Sequence, residues 1–125
     1  MLKLENVCAG YGKLDVLWDV SCEVHDGEFV AIVGPNGAGK TTTMRAISGL
    51  VRPKSGAIIF NGEHLEGESM KRIHDLGVSF ITDDGNLFSG MSVKENLLMG
   101  ALNIRNKNKV KQLMDKVIGL FPRLG

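Results

Sequence analysis

The sequence is short of cysteine, of charge imbalance and of long apolar runs, and each shortage removes a class of protein. Its two cysteines, Cys8 and Cys22, sit in segments with strand alternation and in no metal-site spacing, so two reduced, packed thiols are expected rather than a disulfide framework. Fifteen Lys and Arg against fourteen Asp and Glu leave a formal charge of +1. No block of like charge makes a strong field, which argues against nucleic acid as a partner. No apolar run approaches the roughly eighteen residues of a membrane span, and the N-terminus MLKLENV has no signal-peptide pattern. A cytosolic chain that does not cross a membrane is therefore expected. His25, His64 and His74 share no ligand spacing and read as surface residues. The serines fall in strands, turns and caps, so no nucleophilic triad can be assembled. Repeats, low-complexity stretches and linkers between domains are absent as well.

What remains is a composition that folds. The 125 residues, 43% hydrophobic and 23% charged, suit one domain that buries about two thirds of its unfolded surface. Leu2 and Leu4 alternate with charged neighbours, and Val20, Cys22 and Val24 alternate with Ser21 and Glu23, the period of half-buried antiparallel strands. Trp18 belongs to the same pattern and is expected in the core. After the turn His25-Asp26-Gly27, residues 29–33 (FVAIV) form a continuous apolar run, which predicts a central parallel strand buried on both faces. Met44, Ile47 and Leu50 then mark a helix, broken at Pro53-Lys54-Ser55-Gly56. A strand over residues 57–60 closes at Asn61-Gly62, a hairpin pair. Met70, Ile73 and Leu76 predict a helix ending at Gly77, followed by a strand over residues 78–81 and a polar loop over 82–86. Ser92 and Glu95 match a capping box. Val110, Leu113, Met114, Val117 and Ile118 share one face of a last helix, stopped by Pro122.

Between the apolar run and the first helix lies Gly34-Pro35-Asn36-Gly37-Ala38-Gly39-Lys40-Thr41, which fits G-x-x-x-x-G-K-[ST] in the strand, loop, helix context its mechanism requires. Glycines let successive amides point inward, and the helix start adds unpaired donors and partial positive charge. Such a concavity suits a di- or triphosphate. Lys40 is placed to pair with the β and γ phosphates, Thr41 to offer a hard oxygen to Mg²⁺, and Thr42 to add a phosphate contact. A glycine loop that merely turned the chain would gain nothing from a lysine at a helix N-terminus, where the dipole repels it. An anion is expected there.

From these residues outward the sequence resembles the ATP-binding subunits of ABC transporters, through essentially the whole chain from LENVCAGYG to GLFPRL. GPNGAGKTTT, ISGLVRPKSGAIIFNGE and LFSGMSVKENLLMGA are similar to the ATP-binding proteins of bacterial and archaeal branched-chain amino-acid importers. The resemblance implies an α/β P-loop NTPase fold, here its N-terminal half: an antiparallel β subdomain plus a partial parallel sheet with helices. It also implies a cytoplasmic ATPase, peripheral to the inner face of the membrane, that binds ATP with Mg²⁺ between two head-to-tail subunits and transmits closure to permease subunits. Tyr11 matches the position that stacks on adenine in this family, a task for which a π face near the loop is suited. The alternative is a packing tyrosine at a strand end. Asp83 aligns where many members carry a glutamine that reaches Mg²⁺ and the attacking water, and where the branched-chain type has a glutamate. Thr82-Asp83-Asp84-Gly85-Asn86 departs from that type, so Asp83 is either a metal-side carboxylate beside a like charge or part of a solvated acidic turn.

Past Leu124 the family continues into an LSGGQ signature, an apolar strand ending in Asp-Glu and a later histidine, none of which is in these 125 residues. Two functions follow: the N-terminal half of an importer's ATPase subunit, or a nucleotide-binding, self-associating module without turnover. An ABC protein of DNA repair or translation would need basic patches or long insertions that are not in the sequence. Open edges along residues 29–33 would drive the self-association.

Overall fold

Residues 1–82, 85 and 87–125 are described by the computed structural model, in two units, Met1–Phe80 and Ile81–Gly125. In the first, strands β1 (Leu2–Tyr11), β2 (Leu14–Val24), β3 (Pro53–Phe60) and β4 (Glu63–His64) form one antiparallel sheet in the order β2-β1-β3-β4. Helix α1 (Lys40–Ile47) and the short α2 (Met70–Asp75) complete it.

The hairpins follow from turn chemistry. β1 and β2 meet through the two-residue turn at Gly12 and Lys13, with Tyr11 paired to Leu14. A Cβ on Gly10 would stand 1.9 Å from the Leu14 carbonyl oxygen, so the backbones approach here as only glycine permits. Asn61 and Gly62 both have positive φ, 50° and 85°, the type I′ geometry that joins β3 to β4. Leu4, Val7, Ala9, Leu17, Ile58 and Leu65 from the sheet side meet Ala46, Val51 and Ile73 in the core.

Four expectations change. Residues 29–33 belong to no strand, and Phe29 and Val33 are 96% and 87% exposed. Residues 78–81 likewise form no strand. An apolar run becomes a strand only when a neighbour takes up its amides and carbonyls, and no parallel neighbour is present among the described residues. The antiparallel subdomain forms, but its parallel strands do not pair. Third, Trp18 is 70% exposed. Its neighbour Leu17 takes the core face of β2, and a bulge at Asp19, φ 56°, returns Val20 and Cys22 to that face while Trp18 points away. Fourth, α1 stops before Leu50, because Gly49 adopts φ 79° against Ile73, and Pro53 to Gly56 open β3 instead of forming a breaker. Cys8 and Cys22 are free and half-buried, and burial pushes the Cys22 thiol up.

The second unit holds α3 (Val93–Met99) and α4 (Lys107–Leu120), then a single 3-10 turn, Pro122–Leu124. Both arms of the capping box form: Ser92 Oγ accepts from Glu95 N, and Glu95 Oε2 accepts from Ser92 N at 2.8 Å. Asn96 ties the preceding loop to α3, accepting from Phe88 N at 2.8 Å and donating to the carbonyls of Phe88, Met91 and Ser92. Among the described residues no helix is long and apolar enough to cross a membrane.

Candidate functional site

Residues 28–39 run outside any helix or strand, and their second half is the expected phosphate loop. Gly37 and Gly39 lie at φ 84° and 93°, a region that glycine enters without steric penalty. Gly39 is the N-cap of α1, and a Cβ there would stand 2.7 Å from Leu17 Cδ2. The loop is thereby pinned to the core face of β2. Ala38 N donates to Pro35 O at 3.2 Å, and Thr43 donates to Gly39 O through its amide at 2.8 Å and its hydroxyl at 3.0 Å.

The donors this leaves over are the informative part. Among the described residues no protein acceptor bonds the amides of Gly37, Gly39, Lys40, Thr41 or Thr42. α1 has no acidic residue in its first turn and no side-chain cap, so nothing within that turn offsets the positive end of the helix. Lys40 folds back over the loop, its Nζ donating to Gly34 O at 2.6 Å and Pro35 O at 2.8 Å. Gly34, Pro35, Asn36 and Ala38 are exposed around it. The result is a run of unbonded amides with an ammonium group at hand, the chemistry of an anion site.

Thr41 is exposed, whereas Thr42 is 6% exposed. A magnesium ion fits the donor set through the Thr41 hydroxyl. Asp83, the other expected metal-side residue, lies outside the described residues. Tyr11 is 44% exposed at the end of β1, and its phenol oxygen accepts from Arg45 Nη1 of α1 at 3.1 Å. Arg45 first, then Thr42, holds this phenol below its ordinary pKa. The structure therefore brings Tyr11 to the helix that the loop opens. Arg45 was not among the residues expected to matter, although its place five residues after Lys40 was visible. A concavity of about 580 Å³ in the second unit, against Leu97, Leu98, Val110, Met114 and Ile118, is an apolar cleft.

An antiparallel sheet, a glycine loop pinned against it and a helix opening from that loop make the fold that of the N-terminal part of a P-loop ATPase of the ATP-binding-cassette type. The family described as ABC transporter matches residues 17–121, and the chain belongs to it. It is 40% identical over 124 residues to the high-affinity branched-chain amino acid transport ATP-binding protein BraG of Pseudomonas aeruginosa, covering 99% of this chain and 53% of that protein. With the probable branched-chain amino acid transport ATP-binding protein LivF of Archaeoglobus fulgidus it shares 33% over 124 residues, covering 99% and 52%. Other relatives are named for lipopolysaccharide export and for sulfate/thiosulfate import. A solved ATP-binding subunit of an ABC transporter superposes with a TM-score of 0.78 at 30% identity, over 94% of this chain and 48% of that one. The chain thus spans about half the length of the curated relatives it matches.

Proposed function

We propose that this chain binds ATP with Mg²⁺ as part of an ABC transporter ATPase that powers import of amino acids, branched-chain ones foremost. The observation that carries the reading is the set of unbonded amides around the start of α1, with Lys40 Nζ held over the loop on the Gly34 and Pro35 carbonyls. The amides of Gly37, Gly39, Lys40, Thr41 and Thr42 take the phosphate oxygens, and Lys40 leaves its carbonyls to pair with the β and γ phosphates. Thr41 presents its hydroxyl to the metal and Tyr11 stacks on the base, while Asp83 is proposed as a metal-side carboxylate on its sequence position alone. Magnesium, when bound, neutralises phosphate charge. The cargo rests on the names of two relatives, and the same loop would serve any other cargo equally.

The partners that follow are a second ATPase subunit and membrane permease subunits, with the ATPase on the cytoplasmic face. Residues 1–125 constitute the nucleotide-binding N-terminal portion of the domain, and hydrolysis needs the signature and the Asp-Glu strand, which this sequence does not contain. A second reading, a self-associating binding module without turnover, draws on the exposure of residues 29–33. Titration of the 125-residue chain with ATP and Mg²⁺, alongside a phosphate-release assay, tests both. Saturable binding without release is expected. Release abolished by Lys40→Ala would show that these residues hydrolyse ATP by themselves.

A further inference from the structure

Tyr11 closes β1 beside a two-residue turn, and Arg45 stands on the exposed side of α1, 34 residues away in sequence. A half-exposed tyrosine next to a turn has rotamers to lose when a planar ligand lies on it, and that loss weakens binding unless the ring is held beforehand. Here it is held. Arg45 Nη1 donates to the phenol oxygen at 3.1 Å. The same helix carries, in its first turn, the amides left open for phosphate. One rigid element therefore carries both the phosphate cradle and the anchor of the ring.

Resting on the nucleotide-binding reading above, we propose that Arg45 is a positioning residue for the nucleobase: it ties the Tyr11 ring to α1 and so fixes the distance between base platform and phosphate loop. The ligand class is a nucleoside di- or triphosphate, and inorganic polyphosphate, which has no base, is indifferent to the tie. The same Arg45 bond, followed by one with Thr42, holds the phenol below its ordinary pKa.

The test uses the full chain and two probes, ADP and inorganic tripolyphosphate, titrated into the wild type, Arg45→Ala, Arg45→Lys, Tyr11→Phe and the Arg45→Ala/Tyr11→Phe pair. Arg45→Ala and Tyr11→Phe should each weaken ADP by about two- to tenfold, the worth of one hydrogen bond. The pair should be no weaker than either single change, Arg45→Lys should restore part of the affinity, and tripolyphosphate should bind all variants alike. Because Tyr11 is the only tyrosine, its ultraviolet titration reads this bond directly, and Arg45→Ala should move it up toward the ordinary phenol value. Equal losses for ADP and tripolyphosphate would overturn the proposal, as would a wild type and Arg45→Ala that bind ADP identically. A wild type that binds neither probe would overturn the nucleotide reading along with it, and one that binds both, with Arg45→Ala unchanged, would overturn this inference alone.

Discussion

Gly39 and Leu17 touch so closely that a methyl group on the glycine would stand 2.7 Å from Leu17 Cδ2, which joins the phosphate loop directly to the core of the sheet. Leu17 is 2% exposed and belongs to the core cluster. The loop's shape is therefore a property of the sheet as well as of its own glycines.

Gly39→Ala should destabilise the chain by about 2–5 kcal/mol, through strain at φ 93° and overpacking against Leu17. Urea unfolding measures this. An unchanged midpoint would mean that loop and sheet are not coupled.

Tyr11→Ala should weaken ATP and GTP by similar factors, since stacking uses a π face and reads few base edges. Parallel titrations with the two nucleotides decide it. A loss confined to ATP would point to edge recognition, and no loss for either would leave Tyr11 as a packing residue.

The capping box makes α3 sensitive to acid. Hydrogen bonds from the Ser92 hydroxyl, then from its amide, hold the Glu95 carboxyl below its ordinary value. A depressed folded-state pKa stabilises the helix above the unfolded glutamate value and is lost as pH falls through the folded one. Helicity by far-ultraviolet circular dichroism should therefore drop in acid below about pH 4.3. Glu95→Gln should flatten that part of the profile, and an identical acid limb in the variant would assign the loss to other carboxylates.

Much of this was legible beforehand, for local reasons. The capping box, the Asn61-Gly62 hairpin and the α2 stop at Gly77 all depend on residues within a few positions of one another, and each formed as expected. Strand character in residues 29–33 depends instead on neighbours from elsewhere, and composition alone could not supply them. Trp18 was misplaced because a bulge at Asp19, φ 56°, breaks the alternation of β2, so that Val20 and Cys22 pack on the core with Leu17 while Trp18 is exposed. Asn96 carried no signal, since its four bonds exist only once the loop from Phe88 has closed onto α3. The phosphate loop was fully visible as a motif, whereas the Arg45 contact to Tyr11 required the fold.

Exposure of residues 29–33 predicts self-association. Apolar patches above roughly 300–600 Å² are unusual on monomers, and an unpaired apolar segment recruits other chains. Light scattering over a range of concentrations should show dimers or larger species, and Phe29→Lys with Val33→Lys should reduce them. A wild-type monomer at high concentration would contradict this.

The central claim is that the loop from Gly34 to Thr42 holds the phosphates, and titration calorimetry of ATP and ADP into the wild type and Lys40→Ala tests it most directly. Lys40 is the cation held over that loop, 2.6 Å from Gly34 O and 2.8 Å from Pro35 O. Its removal should weaken both nucleotides by about 1.5–3 kcal/mol, the worth of a hydrogen bond to a charged group. Equal affinity in the two proteins would show that nucleotide, if bound at all, is not held by this loop.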